Sequence, residues 1–262
     1  MWQRCLTAIV GIPLAFFLVY LGGIPFFIAV GILSILGMHE FFKILIPYDI
    51  GIMRYYAYFC GIVWQAAVFF QAEFRPLMLL LFLLIGFIIY IVNFKKLKLQ
   101  DFSLTILGVV YVFGLFNYLN LLRFFAPQGK WWVYFTLILI WSNDTGAFFT
   151  GRYLGRHKLH KIVSPKKTIE GALGGIALTT CISFVINLLF RYMSLPEALV
   201  LGMLASTLGI VGDLWESALK RIGGVKDSGS LLPGHGGVLD RFDSLLFAAP
   251  IIYYFVQGLI FH

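Results

Sequence analysis

The chain has 262 residues, of which 60% are hydrophobic and only 12% are charged, and its net charge is +8. A mean hydropathy of +0.91 excludes an ordinary soluble domain, in which about a quarter of the residues are charged. Its three cysteines are scattered along the sequence, which excludes a disulfide framework and a cysteine metal site.

Apolar runs long enough to cross a bilayer recur along the whole sequence. They predict an all-α, polytopic integral membrane protein with about nine transmembrane helices, folded as a single membrane domain over residues 1–262. No soluble domain fits between the runs. The predicted spans are 6–22, 24–44, 55–72, 76–94, 103–124, 131–150, 169–190, 197–221 and 244–261.

Positive charge predicts how these helices are oriented. All but four of the 20 Lys and Arg residues fall in loops that follow an even number of spans, or at the span ends beside those loops, with the start of the chain counted as zero. The positive-inside rule therefore predicts a cytoplasmic N-terminus, an outside C-terminus and a multi-pass protein of the cell (inner) membrane. Anionic lipid headgroups explain the excess positive charge, so no nucleic acid partner is expected.

Ionisable residues divide the chain into two unequal parts. Residues 1–130 contain few of them inside the predicted spans, and Glu40 is the main exception. Most of the 12 acidic residues fall between Asp144 and Asp243. We therefore expect residues 1–130 to form a scaffold and lipid pocket, and residues 131–262 to form the catalytic half with an active site facing the cytoplasm.

One predicted helix carries a polar stripe near its end. Asp213, Glu216, Ser217 and Lys220 are spaced i, i+3, i+4 and i+7, which places them on one helical face. Asp213 lies about 13 Å inside the span, where an unpaired charge costs roughly 3 kcal/mol. The stripe must therefore face protein, ions or a water-filled cavity. The simpler alternative is an internal ion pair between Asp213 and Lys220, which leaves Glu216 without a use.

A second acidic position lies in the span over residues 131–150. Asp144 is at a depth that lets it approach Asp213 if the two helices pack together. Gly146 permits close approach of another backbone, as in many membrane helix pairs. A single aspartate near a helix end is weak evidence, but two acidic helices together indicate a site.

A basic segment connects this span to the next one. Residues 151–167 contain six Lys and Arg residues and no acid. The tract Ser164-Pro165-Lys166-Lys167-Thr168 precedes a predicted helix start, where free N–H groups and the helix dipole favour an anion. It is suited to binding phosphate, although an anchor to lipid headgroups is the alternative. The Gly171–Gly175 spacing is more typical of helix packing.

The segment between the last two spans combines charges with glycines. Lys220, Arg221, Lys226 and Arg241 can bind phosphates. Asp240 and Asp243 are spaced to direct oxygens at one hard cation such as Mg²⁺. Glycines let the backbone approach a ligand closely. His235 either donates to phosphate or has a structural role.

The pattern Ser217-x2-Lys220-Arg221-x4-Lys226-Asp227-x-Gly229-x2-Leu232-Pro233-Gly-His235-Gly236-Gly237-x2-Asp240-Arg241-x-Asp243 resembles the signature of the phosphatidate cytidylyltransferase (CDP-diacylglycerol synthase) family. Asp144-Thr-Gly-Ala-Phe148 and Ser164-Pro-Lys-Lys-Thr-Ile-Glu-Gly171 resemble further segments of it. Phe148 stands where tyrosine is common in the family. The resemblance covers the C-terminal half specifically.

The resemblance implies a Mg²⁺-dependent nucleotidyltransferase of phospholipid biosynthesis that converts CTP and phosphatidate into CDP-diacylglycerol and pyrophosphate, at a membrane and with lipids as partners. A second cation and a homodimer are compatible with it. The implied metal ligands are Asp213 and Asp240, supported by Asp144, Glu216 and Asp243. The implied catalytic residues are Lys220, Arg221, Lys226, Asp240, Arg241 and Asp243. The implied substrate-binding residues are Ser164, Lys166, Lys167, Thr168, Ser217, His235, Gly236 and Gly237.

Three other functions compete with this interpretation. A CDP-alcohol phosphotransferase would need an aspartate motif whose spacing is absent here. A transporter would need polar residues towards both faces, whereas the predicted outer half has only Glu73 and Glu197 as acids. A CTP-dependent polyprenol kinase shares the chemistry, and only a substrate test separates it.

Overall fold

The structure is a computed structural model, and it describes residues 2–45, 53–70, 75–126, 128–229 and 236–260. The chain forms two compact units. The first unit contains the chain up to Phe125 together with Ile222–Asp240, and the second contains Ala126–Arg221 together with the chain from Arg241 onwards. The last connection of the chain therefore belongs to the same unit as its first helices.

The first unit consists of helices and the described part of the connection between the last two helices. Its helices are α1 (Trp2–Leu21), α2 (Gly23–Ile44), α3 (Met53–Phe69), α4 (Arg75–Val92), α5 (Leu99–Gly108) and α6 (Leu115–Phe125), with a π-helical segment at Val109–Gly114 between α5 and α6. Gly22 has a φ of 62° at the tight junction of α1 and α2, a conformation that side chains disfavour.

Aromatic side chains fill the core of the first unit. Phe41 of α2, Phe113 of the π-helical segment and Phe116 of α6 are fully buried. Gly108 permits this packing, because a Cβ there would lie 2.7 Å from the ring of Phe41. The ring of Phe113 covers Gly61 of α3 in the same way. These contacts pack α2, α3, the π-helical segment and α6 against one another, while the scaffold and lipid-pocket role of residues 1–130 stays a prediction.

The second unit contains four helices and a short hairpin. Its elements are α7 (Gly129–Leu154), β1 (Lys158–His160), β2 (Ser164–Thr168), α8 (Ile169–Phe190), α9 (Leu195–Ile222) and α10 (Leu239–Ile260). The last residue of α9 and the first two of α10 belong to the first unit. The hairpin pairs Lys158 with Thr168 and His160 with Ser164 in antiparallel register, and it is a local β feature that the all-α prediction did not include.

Small residues bring the helices of the second unit together. A Cβ at Gly146 of α7 would lie 2.7 Å from the carbonyl oxygen of Gly174 in α8. A Cβ at Gly175 would lie 2.9 Å from the carbonyl oxygen of Asn143. The Ser206 hydroxyl of α9 donates to the Asn143 side chain at 2.6 Å. The packing roles predicted for Gly146 and for the Gly171–Gly175 pair are confirmed.

The helices have the length and surface of membrane helices. Within the described residues, every predicted span overlaps a helix. Four helical segments are long and apolar enough to cross a bilayer, namely Gly23–Ile44, Leu99–Phe125, Ile169–Phe190 and Leu195–Ile222. Large apolar side chains such as Ile32 and Leu189 are exposed on the surfaces of these segments, as expected where lipid is the solvent. This is a membrane protein, while nine spans and their orientation stay predictions.

Candidate active site

A cavity of about 430 Å³ opens in the second unit, between α7, the hairpin, α8 and α9. Its lining has two characters. Charged residues contribute one part, namely Asp144, Arg152, Lys166, Lys167 and Asp213. Apolar residues contribute the other, namely Ala147, Phe148, Leu159, Ala172 and Ile210. The cavity can therefore accommodate a ligand with a charged head and an apolar body.

Lys167 lies at the centre of the charges. It forms an ion pair with Asp213 of α9, and the two side chains are 29% and 31% exposed. It also acts electrostatically on Asp144 of α7 and Asp243 of α10, and both of these carboxylates feel the charge of Asp213. The structure thus brings three aspartates from three helices around one lysine, including the predicted approach of Asp144 to Asp213.

The polar stripe of α9 has its own internal ion pair. Glu216, whose side chain is 0% exposed, pairs with Lys220 one helical turn later. Asp213 pairs with Lys167 of the hairpin. The alternative of an internal ion pair between Asp213 and Lys220 is therefore wrong. Lys220 pairs with Glu216 instead. Ser217 is buried beside this pair on α9.

Two side chains fix the hairpin to the start of α8. The Thr168 hydroxyl accepts a hydrogen bond from the backbone N–H of Gly171 at 3.1 Å, which makes Thr168 the N-cap and confirms the predicted helix start. The carboxylate of Glu170 accepts from the backbone N–H groups of Arg156 at 3.0 Å and His157 at 3.2 Å, and it contacts the His157 ring at 2.6 Å.

Three of the remaining predicted residues of the second unit lie in or beside this hairpin. Ser164 begins β2 opposite His160, and Lys166 is exposed at the cavity. The guanidinium of Arg221 donates to the backbone carbonyl of Val163 at 3.3 Å. Arg241 is exposed and acts electrostatically on Asp144.

The other predicted residues belong to the first unit. One carboxylate oxygen of Asp240 accepts hydrogen bonds from the backbone N–H groups of Gly237 at 2.8 Å and Ser228 at 2.9 Å, and it lies 3.0 Å from the Ser228 hydroxyl oxygen. Gly236 has a φ of 84°, and a Cβ there would lie 2.5 Å from the same oxygen. Lys226 is exposed, and His235 lies outside the described residues.

Comparison with known proteins places these features in a family. Residues 2–259 match the profile of the cytidylyltransferase family. This chain belongs to that family. It is 34% identical to a phosphatidate cytidylyltransferase of Bacillus subtilis over 97% of both chains. It is 35% identical to one of Synechocystis over 97% of this chain and 96% of the relative, and 31% identical to one of Staphylococcus haemolyticus over 95% and 96%.

The carboxylates of the second unit include oxygen donors of the kind that a divalent cation such as Mg²⁺ prefers. Within the described part of the chain, no three His, Cys, Asp or Glu side chains form a metal site by themselves. Mg²⁺ does not require such a cage, because it is usually held by one or two carboxylates, waters and substrate phosphates. Asp144 and Asp213 line one cavity, and this donor set fits a cation that arrives with a nucleotide.

Two residues of the described chain have notable positions but were not among the site candidates from the sequence. Arg152 lines the charged part of the cavity, but its sequence signal is only its membership of the basic segment. Glu40 of α2 accepts hydrogen bonds from the start of α10 in the first unit. Its one signal is that it is an acid within a predicted span, which is a functional indication by itself.

Proposed function

We propose that this chain is a phosphatidate cytidylyltransferase, which transfers the cytidylyl group of CTP to phosphatidate and forms CDP-diacylglycerol and pyrophosphate. Family membership over residues 2–259 supports the cytidylyl chemistry. The relatives with coverage of more than nine-tenths of both chains carry this activity in their names. One structural observation supports the lipid substrate, namely the cavity with one charged and one apolar part.

The cavity suits a phospholipid better than a soluble nucleotide alone. Lys166, Lys167 and Arg152 offer cationic groups for a phosphate monoester. Phe148, Ala172 and Ile210 offer an apolar surface that a glycerol and its acyl chains can cover. A charged head and an apolar body are the two parts of phosphatidate, so we infer that its headgroup binds among the basic residues.

The reaction needs alignment and charge neutralisation more than it needs a strong base. Phosphatidate is already anionic, so its phosphate oxygen can attack the α-phosphorus of CTP directly. A new P–O bond forms, and the bond between the α-phosphorus and the oxygen that bridges to the β-phosphate breaks, releasing pyrophosphate. Phosphoryl transfer of this kind is accelerated mainly by positioning and electrostatic stabilisation.

Lysines and arginines of the chain can supply that stabilisation. We assign Lys167 and Lys166 to the phosphates at the cavity, where Lys167 already neutralises carboxylates. The sequence signature supports a triphosphate role for Lys220, Arg221, Lys226 and Arg241. It supports contacts of Ser164, Thr168, Ser217, His235, Gly236 and Gly237 with the substrates in the same way.

We propose Mg²⁺ as the cofactor. When bound, it neutralises charge on the phosphates of CTP. Asp144 and Asp213 would hold it at the cavity. Asp243 interacts electrostatically with Asp213 and would support them. Glu216 supports the site through its ion pair with Lys220. The proposed role of Asp240 in metal binding rests on the sequence signature. One of its oxygens already accepts hydrogen bonds from the backbone N–H groups of Ser228 and Gly237.

We also propose that the protein crosses the inner membrane nine times, with its active site facing the cytoplasm. The distribution of Lys and Arg supports this orientation. The basic hairpin at 158–168 then lies at the cytoplasmic surface, where CTP is available. Membrane lipids surround the exposed apolar side chains.

The experiment that tests the function uses purified protein in detergent with CTP labelled at its α-phosphate, Mg²⁺ and phosphatidate. We expect the label to move into the lipid fraction as CDP-diacylglycerol. Asp213→Asn serves as the matched inactive variant. A parallel reaction replaces phosphatidate with a polyprenol and CTP with γ-labelled CTP.

Each outcome has one meaning. Transfer of the α-label to phosphatidate by the wild type, and not by Asp213→Asn, supports the proposal. Transfer of the γ-label to polyprenol without any CDP-lipid would show a kinase instead. Absence of both products from a folded, Mg²⁺-loaded protein would overturn the enzymatic assignment.

A further inference from the structure

Glu40 of α2 is a buried acid at the centre of a hydrogen-bonded cluster in the first unit. It is 2% exposed and lies one turn before the end of a helix that is apolar enough to cross a membrane. One carboxylate oxygen accepts the backbone N–H of Val238 at 2.8 Å. The other accepts the backbone N–H of Leu239 at 2.9 Å and the hydroxyl of Ser228 at 2.9 Å.

These bonds satisfy the first free N–H groups of α10. The N-terminus of a helix leaves four N–H groups without intrahelical partners, and a carboxylate there also interacts favourably with the helix dipole. The usual cap is a residue next to the helix in sequence. Here the carboxylate comes from a helix 199 residues earlier in the chain, so Glu40 fixes where α10 begins relative to α2.

Two glycines of the signature adjoin this carboxylate. A Cβ at Gly229 would lie 2.7 Å from a Glu40 oxygen. A Cβ at Gly237 would collide with the other Glu40 oxygen and with the Ser228 hydroxyl. Neither glycine has a positive φ, so backbone conformation does not require glycine at these positions. Glycine is required there because the Glu40 side chain occupies the space that a Cβ would need.

Ser228 connects Glu40 to Asp240. Its hydroxyl lies 2.9 Å from a Glu40 oxygen and 3.0 Å from an Asp240 oxygen, and its backbone N–H donates to that same Asp240 oxygen at 2.9 Å. A change at Glu40 is therefore transmitted to an acid of the signature through one shared side chain. Lys226 and Asp227 precede Ser228 directly in the sequence.

We propose that Glu40 is a positioning residue for the reaction. It holds the two described ends of the signature loop, residues 225–229 and 236–240, so that Lys226 and Asp240 are presented in one fixed arrangement. Glu40 does not itself touch the reacting atoms. For its kinetic consequence this inference rests on the proposed function, in which the loop binds the triphosphate of CTP.

The test variant is Glu40→Gln, which preserves size but cannot preserve the bonds. One position of the amide oxygen satisfies Val238 and leaves the NH₂ group facing the N–H of Leu239, and the opposite position reverses the problem. Glu40→Asp retains both oxygens but withdraws them by about one C–C bond, ~1.5 Å. We therefore expect Glu40→Asp to weaken the hydrogen bonds to Val238 and Leu239 in part, and Glu40→Gln to break one of them.

The matched control is Glu197→Gln. Glu197 also accepts a backbone N–H at the start of a helix, from Ser194 at 2.7 Å, but it lies at α9 and outside the loop and the cavity. The same chemical change is thus made at a second capped helix. We expect Glu197→Gln to leave both Michaelis constants and kcat as in the wild type.

Kinetics separate positioning from general instability. We expect Glu40→Gln to lower kcat/KM for CTP by about 10- to 100-fold, the usual cost of losing an outer hydrogen-bond partner of a metal ligand, here Asp240 in the proposed function. KM for CTP should rise and KM for phosphatidate should stay unchanged. Glu40→Asp should recover part of the loss. A lower kcat with both KM values unchanged, in proportion to lost folded protein, would overturn the proposal.

A second measurement does not use turnover. Hydrogen exchange of the backbone amides in residues 225–229 and 236–240 should become faster in Glu40→Gln and stay unchanged in Glu197→Gln. Gly229→Ala should lower the unfolding temperature in the wild-type background and have little further effect in Glu40→Ala, because the clash is with the Glu40 side chain. Unchanged exchange, or equal effects of Gly229→Ala in both backgrounds, would show that Glu40 does not hold the loop, whatever the activity assay gives.

Discussion

Lys167 of the hairpin and Asp213 of α9 form an ion pair at the wall of the cavity. The pair joins the basic segment between α7 and α8 to the acidic stripe of α9, two features that lie far apart in sequence. Lys167 also offsets the charges of Asp144 and Asp243. Lys167 therefore interacts with the same carboxylates that we assign to a divalent cation in the proposed reaction.

We predict that Lys167→Gln lowers kcat/KM by about 100-fold, because a cation that stabilises developing phosphate charge is usually worth that much. Removal of the lysine also takes away a positive charge that interacts with Asp144, Asp213 and Asp243. The measurement is steady-state transfer of labelled CTP to phosphatidate at saturating Mg²⁺. Lys161→Gln is the matched control, because Lys161 is an exposed lysine in the turn of the same hairpin. Equal effects of the two variants would contradict a specific role of Lys167.

We predict that Asp213→Asn and Asp144→Asn each abolish turnover while the unfolding temperature changes by only a few degrees. Both side chains line an open cavity, so neither is part of a packed core whose loss would unfold the protein. The measurement is activity against Mg²⁺ concentration, with thermal unfolding in detergent. Wild-type activity and an unchanged Mg²⁺ dependence in both variants would contradict their assignment as cation ligands.

Patterns that are local in sequence predicted the structure well. The positions of the helices follow from apolar run length, the start of α8 follows from the Thr168 cap, and the contacts of Gly146 and Gly175 follow from small-residue spacing. Each of these signals resides in a few neighbouring residues. They needed no knowledge of which helices pack together.

Relationships between distant residues could not be predicted in the same way. The carboxylate of Glu40 and the hydroxyl of Ser228 are separated by 188 positions, and nothing in either local sequence names the other as a partner. The glycines of the signature were expected to make room for a ligand, whereas Gly229 and Gly237 adjoin Glu40. The hairpin was missed because its strands have three and five residues and lack an apolar alternation.

We predict that Gly146→Ala lowers the free energy of unfolding by about 1–3 kcal/mol, the usual cost of overpacking. The added methyl group would lie 2.7 Å from the carbonyl oxygen of Gly174, and this backbone atom cannot rotate away. Unfolding in a denaturing detergent measures the effect. Gly258→Ala in α10 is the control, since it has no heavy atom within 4 Å of the new Cβ and should stabilise its helix by about 0.5–1 kcal/mol. Similar destabilisation by both would point to a general intolerance of alanine.

The ion pair of Glu216 with Lys220 allows a stability role to be separated from a catalytic one. Lys220→Met removes the cation that offsets a carboxylate of 0% exposure, and loss of one partner of a buried pair costs about 3–5 kcal/mol. The double variant Glu216→Gln with Lys220→Met removes both charges and should recover most of that stability. If the pair also takes part in turnover, through Lys220 at the triphosphate or Glu216 at the cation, the double variant will be stable and still inactive. If its activity returns with its stability, Lys220 acts only through Glu216, and the catalytic assignment from the signature is wrong.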